Sequence, residues 1–196
     1  MTAGRSDAEV LTRSLVDAQA FSVIVDRHFA DVHRYLARRV GSDLAEDLAA
    51  QAFAVAFRRR GDFDAAAGSA RPWLFGIATN VLRNELRSER RMLAAVARLD
   101  RDDADGFRHE VERSIARADA ASEVASIAST IAALDSDQRD VLLLHAWGEL
   151  SQREIADALC IPVGTVYSRL WRARATLRHA LSSLSGVESC QPEEMA

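Results

Sequence analysis

The segment from Ser151 to Leu177 constrains the fold more than any other part of the chain. It reads "SQREIADALCIPVGTVYSRLWRARATL". Ser151 with Glu154 three residues later is a capping box, in which hydroxyl and carboxylate each satisfy an orphan amide at a helix start. Ile155, Ala156 and Leu159 recur at helical spacing, and "IPVG" turns the chain. Val166, Leu170, Ala173 and Leu177 then form a second apolar stripe, with Tyr167, Ser168, Trp171, Arg172, Arg174 and Arg178 away from it. A short helix, a tight turn and a longer helix with a basic outer face is a helix-turn-helix, whose second helix can enter the major groove. A plain helical hairpin with a solvated arginine face needs neither the capping box nor the tight turn in this register.

The remaining sequence is helical too. Three prolines and nine glycines among 196 residues, with 48% hydrophobic content, suit an all-α globular protein. Phe21, Val25, Phe29, Val32 and Leu36 recur along a helix from Asp17 to Arg39. Gly41 ends it, and a second helix runs from Leu44 to Arg59. "RRGDFDAAAGSARP" reads as a loop, with Pro72 tolerated in the first turn of a third helix, Pro72 to Arg91. Residues 93–124, including "RLDRDDADGFRHE", read as a flexible acidic linker with a helical piece near Val111 to Ala121. Pattern resumes at Val124 to Leu134. Asp135 or Ser136 caps a helix through Trp147, "GELS" turns, and helices Gln152–Leu159 and Pro162–Leu184 follow. The expectation is two small helical domains, 17–92 and 125–185, joined by the linker 93–124. Cys160 ends a helix and is expected to be a buried packing residue. Cys190 lies in a polar tail, and the pair supports no disulfide framework.

The net charge of −4 argues against nucleic acid only on average. Residues 71–92 hold five arginines against two glutamates, and residues 151–181 hold five arginines against one glutamate and one aspartate. Residues 93–128 hold five arginines against eight acids. Two basic islands thus sit in acidic surroundings, and local potential governs DNA binding. No run approaches the ~20 apolar residues that span a membrane, and the N-terminus lacks a signal-peptide core, so a cytoplasmic location with no membrane insertion is expected. The histidines show no metal-ligand spacing, no Gly-rich phosphate loop occurs, and the acidic pairs Glu46/Asp47 and Asp102/Asp103 are adjacent, so they diverge on a helix. The expectation is no catalysis and no cofactor or metal.

On a helical wheel, the helix from Pro72 divides in two. Leu74, Phe75, Ile77, Ala78, Val81, Leu82 and Leu86 share one face; Asn80, Arg83, Asn84, Arg87 and Arg91 share the other. Trp73 falls with the polar set at the N-terminal end. It can stack on an unpaired base or pack beneath the preceding loop.

Two blocks together resemble a known family. "DLAEDLAAQAFAVAFRRRGDFD" followed by "ARPWLFGIATNVLRNELRSERR" resembles the second domain of RNA polymerase sigma factors. "LDSDQRDVLLLHAWGELSQREIADALCIPVGTVYSRLWRARATLRHAL" resembles their fourth. Both in this order, with only a short linker, is the layout of the extracytoplasmic-function (ECF) group of the sigma-70 family. The resemblance implies binding to core RNA polymerase, recognition of the −35 and −10 promoter elements, and help in opening the duplex. It places core polymerase contacts at Glu46, Asp47, Leu48 and Gln51, although the family often has Gln-Glu where this chain has Ala50-Gln51. It gives −10 recognition to the loop Gly61–Ala70 and to Trp73, Asn80, Arg83, Asn84 and Arg87. It gives −35 recognition to Thr165, Tyr167, Ser168, Arg169, Trp171 and Arg172, with Arg169, Arg174 and Arg178 suited to phosphate or scaffold roles. It also implies control by an anti-sigma factor. The alternative is a stand-alone helix-turn-helix regulator binding operators as a dimer, which leaves the Ala20–Phe57 block without a task.

Overall fold

A computed structural model describes residues 5–99 and 122–185. The expected helical piece at 111–121, the linker acids Asp100 to Asp105, and Cys190 with the tail lie outside the described residues. Those residues form helices and short 3-10 turns, with no strand among them. The helices are α1 (Asp7–Ser14), α2 (Ser22–Val40), α3 (Ser42–Arg58), α4 (Arg71–Leu99), α5 (Ser122–Ala133), α6 (Ser136–Ala146), α7 (Gln152–Leu159) and α8 (Val163–Ser185).

The first three long helices make the N-terminal domain. α2 and α3 meet at Gly41, whose φ of 86° lies where side chains are disfavoured, so glycine lets the chain reverse in a single residue. Ile24, Val32, Leu36, Leu48, Phe53, Leu74 and Leu82 are buried between α2, α3 and α4. Each such side chain contributes about 1.5–3 kcal/mol of burial. Between α3 and α4 the chain makes two 3-10 turns, Arg60–Asp62 and Ala65–Ala67, and Phe63 packs edge-to-face on Trp73 with centroids 5.4 Å apart. Of the two placements open to Trp73, its packing is therefore the one beneath the preceding loop.

α1 straps that loop in place. It starts with a capping box of its own, the Glu9 amide donating to Ser6 Oγ (3.3 Å) and the Ser6 amide to Glu9 Oε2 (2.8 Å). Asp7 in its first turn accepts from the Ala70 amide (3.0 Å) at the loop's end, lies 2.7 Å from His28 Nε2, and pairs with Arg27 at 2.9 Å. Burial works to raise the Asp7 carboxyl, but the Ala70 amide, Arg27 and His28 outweigh it and hold it below the usual carboxylate range. Arg60 Nε donates to the Ser14 carbonyl at 3.1 Å.

The C-terminal domain is built from α5 to α8 around Leu134, Val141, Leu144, Leu150, Ile155, Val166, Leu170 and Ala173. Asp135 caps α6 by accepting from the Asp137 amide (2.9 Å), and the Ser151–Glu154 capping box starts α7. Arg139 donates to the carbonyls of Ile131 (3.0 Å), Ala132 and Leu134 (2.7 Å), closing the end of α5. Cys160 departs from its expected place. It is exposed, because it occupies the left-handed position that ends α7 (φ 52°), and this turns its side chain out beside the Asp157 carbonyl.

Candidate nucleic-acid interface

α8 presents its outer face to solvent. Val166, Leu170 and Ala173 are buried against α6 and α7, while Tyr167 and Trp171 are 55% and 67% exposed. Ser168 and Arg172 are exposed beside them, and Thr165 is half-buried. Two large aromatic side chains left in water on a helix flanked by arginines make poor folding sense. They do suit a surface that meets base edges and phosphates. Arg169 differs: it is half-buried and pairs with Asp137 of α6 at 2.5 Å. Arg169 is thus tied to the scaffold in this state.

α4 carries the other basic face. Asn80, Asn84, Arg87 and Arg91 are exposed along it, and Leu74, Phe75, Ile77, Ala78, Val81 and Leu82 are buried, as the wheel predicts. Arg83 stands apart from its exposed neighbours. Its Nη2 pairs with Asp137 Oδ1 at 2.9 Å and its Nε with Asp140 Oδ2, both on α6 of the other domain. Asp140 is 1% exposed and also meets Arg39 Nη2 at 2.6 Å, a charge contact and not a well-directed hydrogen bond. Burial works against the Arg39 charge, but Tyr35 and Asp140 outweigh it and raise its pKa. Burial likewise raises the pKa of Tyr35, whose hydroxyl lies 3.0 Å from Thr79 Oγ1. The sequence reading missed Arg39, Asp137 and Asp140, because nothing in their spacing links α2, α4 and α6.

Both regions match family models. Residues 24–92 match the Sigma-70 region 2 model and residues 125–177 the Sigma-70, region 4 model. The chain is 34% identical to the RNA polymerase sigma-H factor of Pseudomonas aeruginosa over 86% of its length and 89% of that protein's. It is 32% identical to the ECF RNA polymerase sigma factor SigC of Mycobacterium tuberculosis, covering 90% of this chain and 94% of that one. The chain belongs to the ECF group of the sigma-70 family. A solved structure of CnrH in complex with the cytosolic domain of CnrY is similar to this sigma factor with a TM-score of 0.62 and 26% identity, covering 91% of this chain and 99% of that one. The sigma factor RpoE of Bartonella quintana, solved with the anti-sigma factor NepR, shares the fold at a TM-score of 0.58. The all-α, two-domain expectation is borne out.

On α3 of the sigma factor, Glu46, Asp47 and Gln51 are exposed together with Asp43 and Ala50. Leu48, expected in the same contact set, is 2% exposed and packs into the domain core. Its apolar side chain sits on the inward face of an amphipathic helix, so it supports that surface from below and does not present itself to a partner. Among the described residues, no group of His, Cys, Asp and Glu side chains could hold a metal ion, and no helix is long and apolar enough to cross a membrane.

Proposed function

We propose that this ECF sigma factor directs core RNA polymerase to a defined set of promoters, reading the −35 element with α8 and the −10 element with α4 and the loop before it. The observation that carries this reading is the coexistence, in one chain, of an aromatic-and-arginine duplex-reading face on α8 and a separate asparagine-and-arginine face on α4. Duplex reading needs base-edge donors on a helix in the major groove. Capture of unstacked bases favours a loop with amides nearby, as Asn80 and Asn84 supply beside the Gly61–Ala70 loop, with Trp73 packed beneath that loop as its support. Tyr167, Ser168, Trp171 and Arg172 would contact the −35 bases, Thr165 the helix start, and Arg169 phosphate. Arg83 and Arg87 would hold the −10 backbone. Glu46, Asp47 and Gln51 would dock on the polymerase, with Leu48 supporting them. Two weak modules gain affinity when both engage at a spacing the polymerase sets.

The protein would work in the cytoplasm, without a cofactor and without catalysis of its own, and under the hold of an anti-sigma factor. Partner-bound structures of CnrH and RpoE support the last point. A stand-alone dimeric regulator is not favoured, since it gives the region 2 match no role.

Run-off transcription with core polymerase and genomic fragments tests the reading. We expect initiation on a subset of fragments only when the sigma factor is added; transcription no higher than with core polymerase alone would sink it.

A further inference from the structure

α1 spans the mouth of the loop that precedes α4 and holds both of its ends. The end of α1 holds the loop's start. There the Ser14 carbonyl, one of those a helix terminus leaves unpaired, accepts from Arg60 Nε at 3.1 Å. Arg60 is fixed again by the Phe57 carbonyl (2.5 Å), with its guanidinium carbon 4.0 Å from the Phe57 ring centroid. It is half-buried, unlike the exposed Arg58 and Arg59 beside it. The Leu15 side chain, just past α1, comes within 3.8 Å of where a Cβ on Gly61 would stand.

The start of α1 holds the loop's other end. Asp7 accepts from the Ala70 amide, and the Ala70 carbonyl accepts from the Leu74 amide at 2.9 Å, which opens the α4 ladder. Ala70 is thus the joint between loop and helix, and it is fully buried. The same Asp7 carboxylate is held in turn by Arg27 and His28 of α2. Burial of Val10 and Leu11 explains why α1 packs on this domain. It does not explain why both ends of α1 direct polar contacts at the loop.

Between these two anchors the loop offers few reading side chains. Residues Asp64 to Ser69 are exposed and read "DAAAGS". Asp64 Oδ1 already accepts from the Ala66 amide at 2.9 Å. Three alanines and a glycine cannot reach a base edge, so recognition there falls on backbone amides and carbonyls. Such groups have no rotamers with which to adjust, and the pose of the loop decides what they meet. A misplacement of about 1 Å can cost on the order of a hundredfold in a site that works by positioning. α1 lies ahead of residues 24–92, the span that the region 2 model matches, so that match assigns it no role.

We propose that α1 is a specificity element of downstream promoter reading. Asp7, acting on Ala70, and Arg60, acting through Ser14, are positioning residues that set the pose of the Gly61–Ala70 loop and hence which unstacked base it accepts. The proposal rests on the −10 reading given above for that loop.

The test is run-off transcription with the full chain and core polymerase on templates carrying each of the four bases at each position of the downstream element, the upstream element held constant. The readout is the ratio of initiation at the preferred base to the mean of the other three. A merely structural role lowers initiation on all templates by one factor and leaves the ratio alone. We expect Asp7→Ala to lower the ratio about tenfold at the position the loop reads, the size of one lost base contact. Asp7→Asn keeps an oxygen for the Ala70 amide and should retain most of the wild-type ratio, although it loses the charge pairing with Arg27. Arg60→Ala should lower the ratio from the loop's other end. Asp17→Asn, which removes only the exposed ion pair with Arg13, should leave it unchanged. An unchanged ratio in either Asp7→Ala or Arg60→Ala, or a ratio that falls as far in Asp7→Asn as in Asp7→Ala, overturns the proposal. Should Asp7→Ala lose its helical circular dichroism, Arg60→Ala carries the test with the same overturning result. A wild type with no base preference anywhere in the downstream element overturns the −10 reading and this inference with it. A wild type that discriminates, with variants that discriminate equally well, overturns the inference alone.

Discussion

α8 and α4 were drawn from the sequence by the same rule, and they behave differently. On α8 the rule is complete: Val166, Leu170 and Ala173 go in, Tyr167, Ser168, Trp171 and Arg172 go out, and the outer face is free. On α4 the apolar stripe is buried as expected, yet Gly76 and Arg83 on other faces are covered as well. The difference is what covers each helix. α8 packs against the helices of its own domain by apolar side chains that leave a 3.6-residue period in the sequence. α4 has a second partner, reached through an absent side chain and a cluster of charges, and neither has a hydropathy signature. Apolar periodicity therefore reports the core of a domain. It is silent on a polar contact between domains.

The comparison can be broken most strongly at neighbouring positions of α8. Leu170→Ala should lower the stability of the C-terminal domain by about 2–5 kcal/mol through the cavity it leaves. Trp171→Ala, one residue on, should leave the melting temperature nearly unchanged, within about 0.5 kcal/mol. Thermal unfolding of the two variants separates them, and equal losses would mean Trp171 is not a free surface residue.

Function should run the other way. Trp171→Ala and Arg172→Ala should each lose roughly 1–3 kcal/mol of −35 discrimination, about tenfold to a hundredfold in initiation, with binding to core polymerase retained in a pull-down. Loss of core binding alongside would show that α8 does more than read DNA.

The strap on the Gly61–Ala70 loop is a medium-sized effect with a pH signature. Asp7→Asn should destabilise the N-terminal domain by about 1–3 kcal/mol at neutral pH, since Ala70, Arg27 and His28 lose a charged acceptor. The Asp7 carboxyl is held below its ordinary value. Its contribution is therefore fully present above the unfolded value of about 3.9 and is lost as pH falls through the lower native value. Melting temperatures of wild type and variant should converge on acidification; a gap that widens instead would contradict the assignment. Smallest of all, Ser151→Ala should cost about 1 kcal/mol by removing the α7 cap, a loss visible as a lower melting temperature and not in −10 recognition.

Much of the architecture was legible in the residues. The Ser151–Glu154 box, the Asp135 cap and Gly41 each mark an element boundary by local chemistry, and each sits where the chain turns. α1 went unread although Ser6 and Glu9 form the same box, because eight residues hold too few apolar positions to show a period. Cys160 was expected inside because free cysteine packs like a small hydrophobe, but the left-handed helix end it occupies turns it outward. In the candidate site, the exposure of Tyr167 and Trp171 followed from their place on the wheel. The capture of Arg83 did not, because its partners Asp137 and Asp140 are more than fifty residues away and contribute charge and no pattern.

The most direct measurement of the division of labour is a run-off matrix with core polymerase. It crosses wild type, Trp171→Ala and Asn84→Ala with a promoter altered only in its upstream element or only in its downstream element. The account predicts that Trp171→Ala loses sensitivity to the upstream change alone and Asn84→Ala to the downstream change alone. If either variant lost sensitivity to both elements, or neither lost any, the two-helix account of promoter reading would be contradicted.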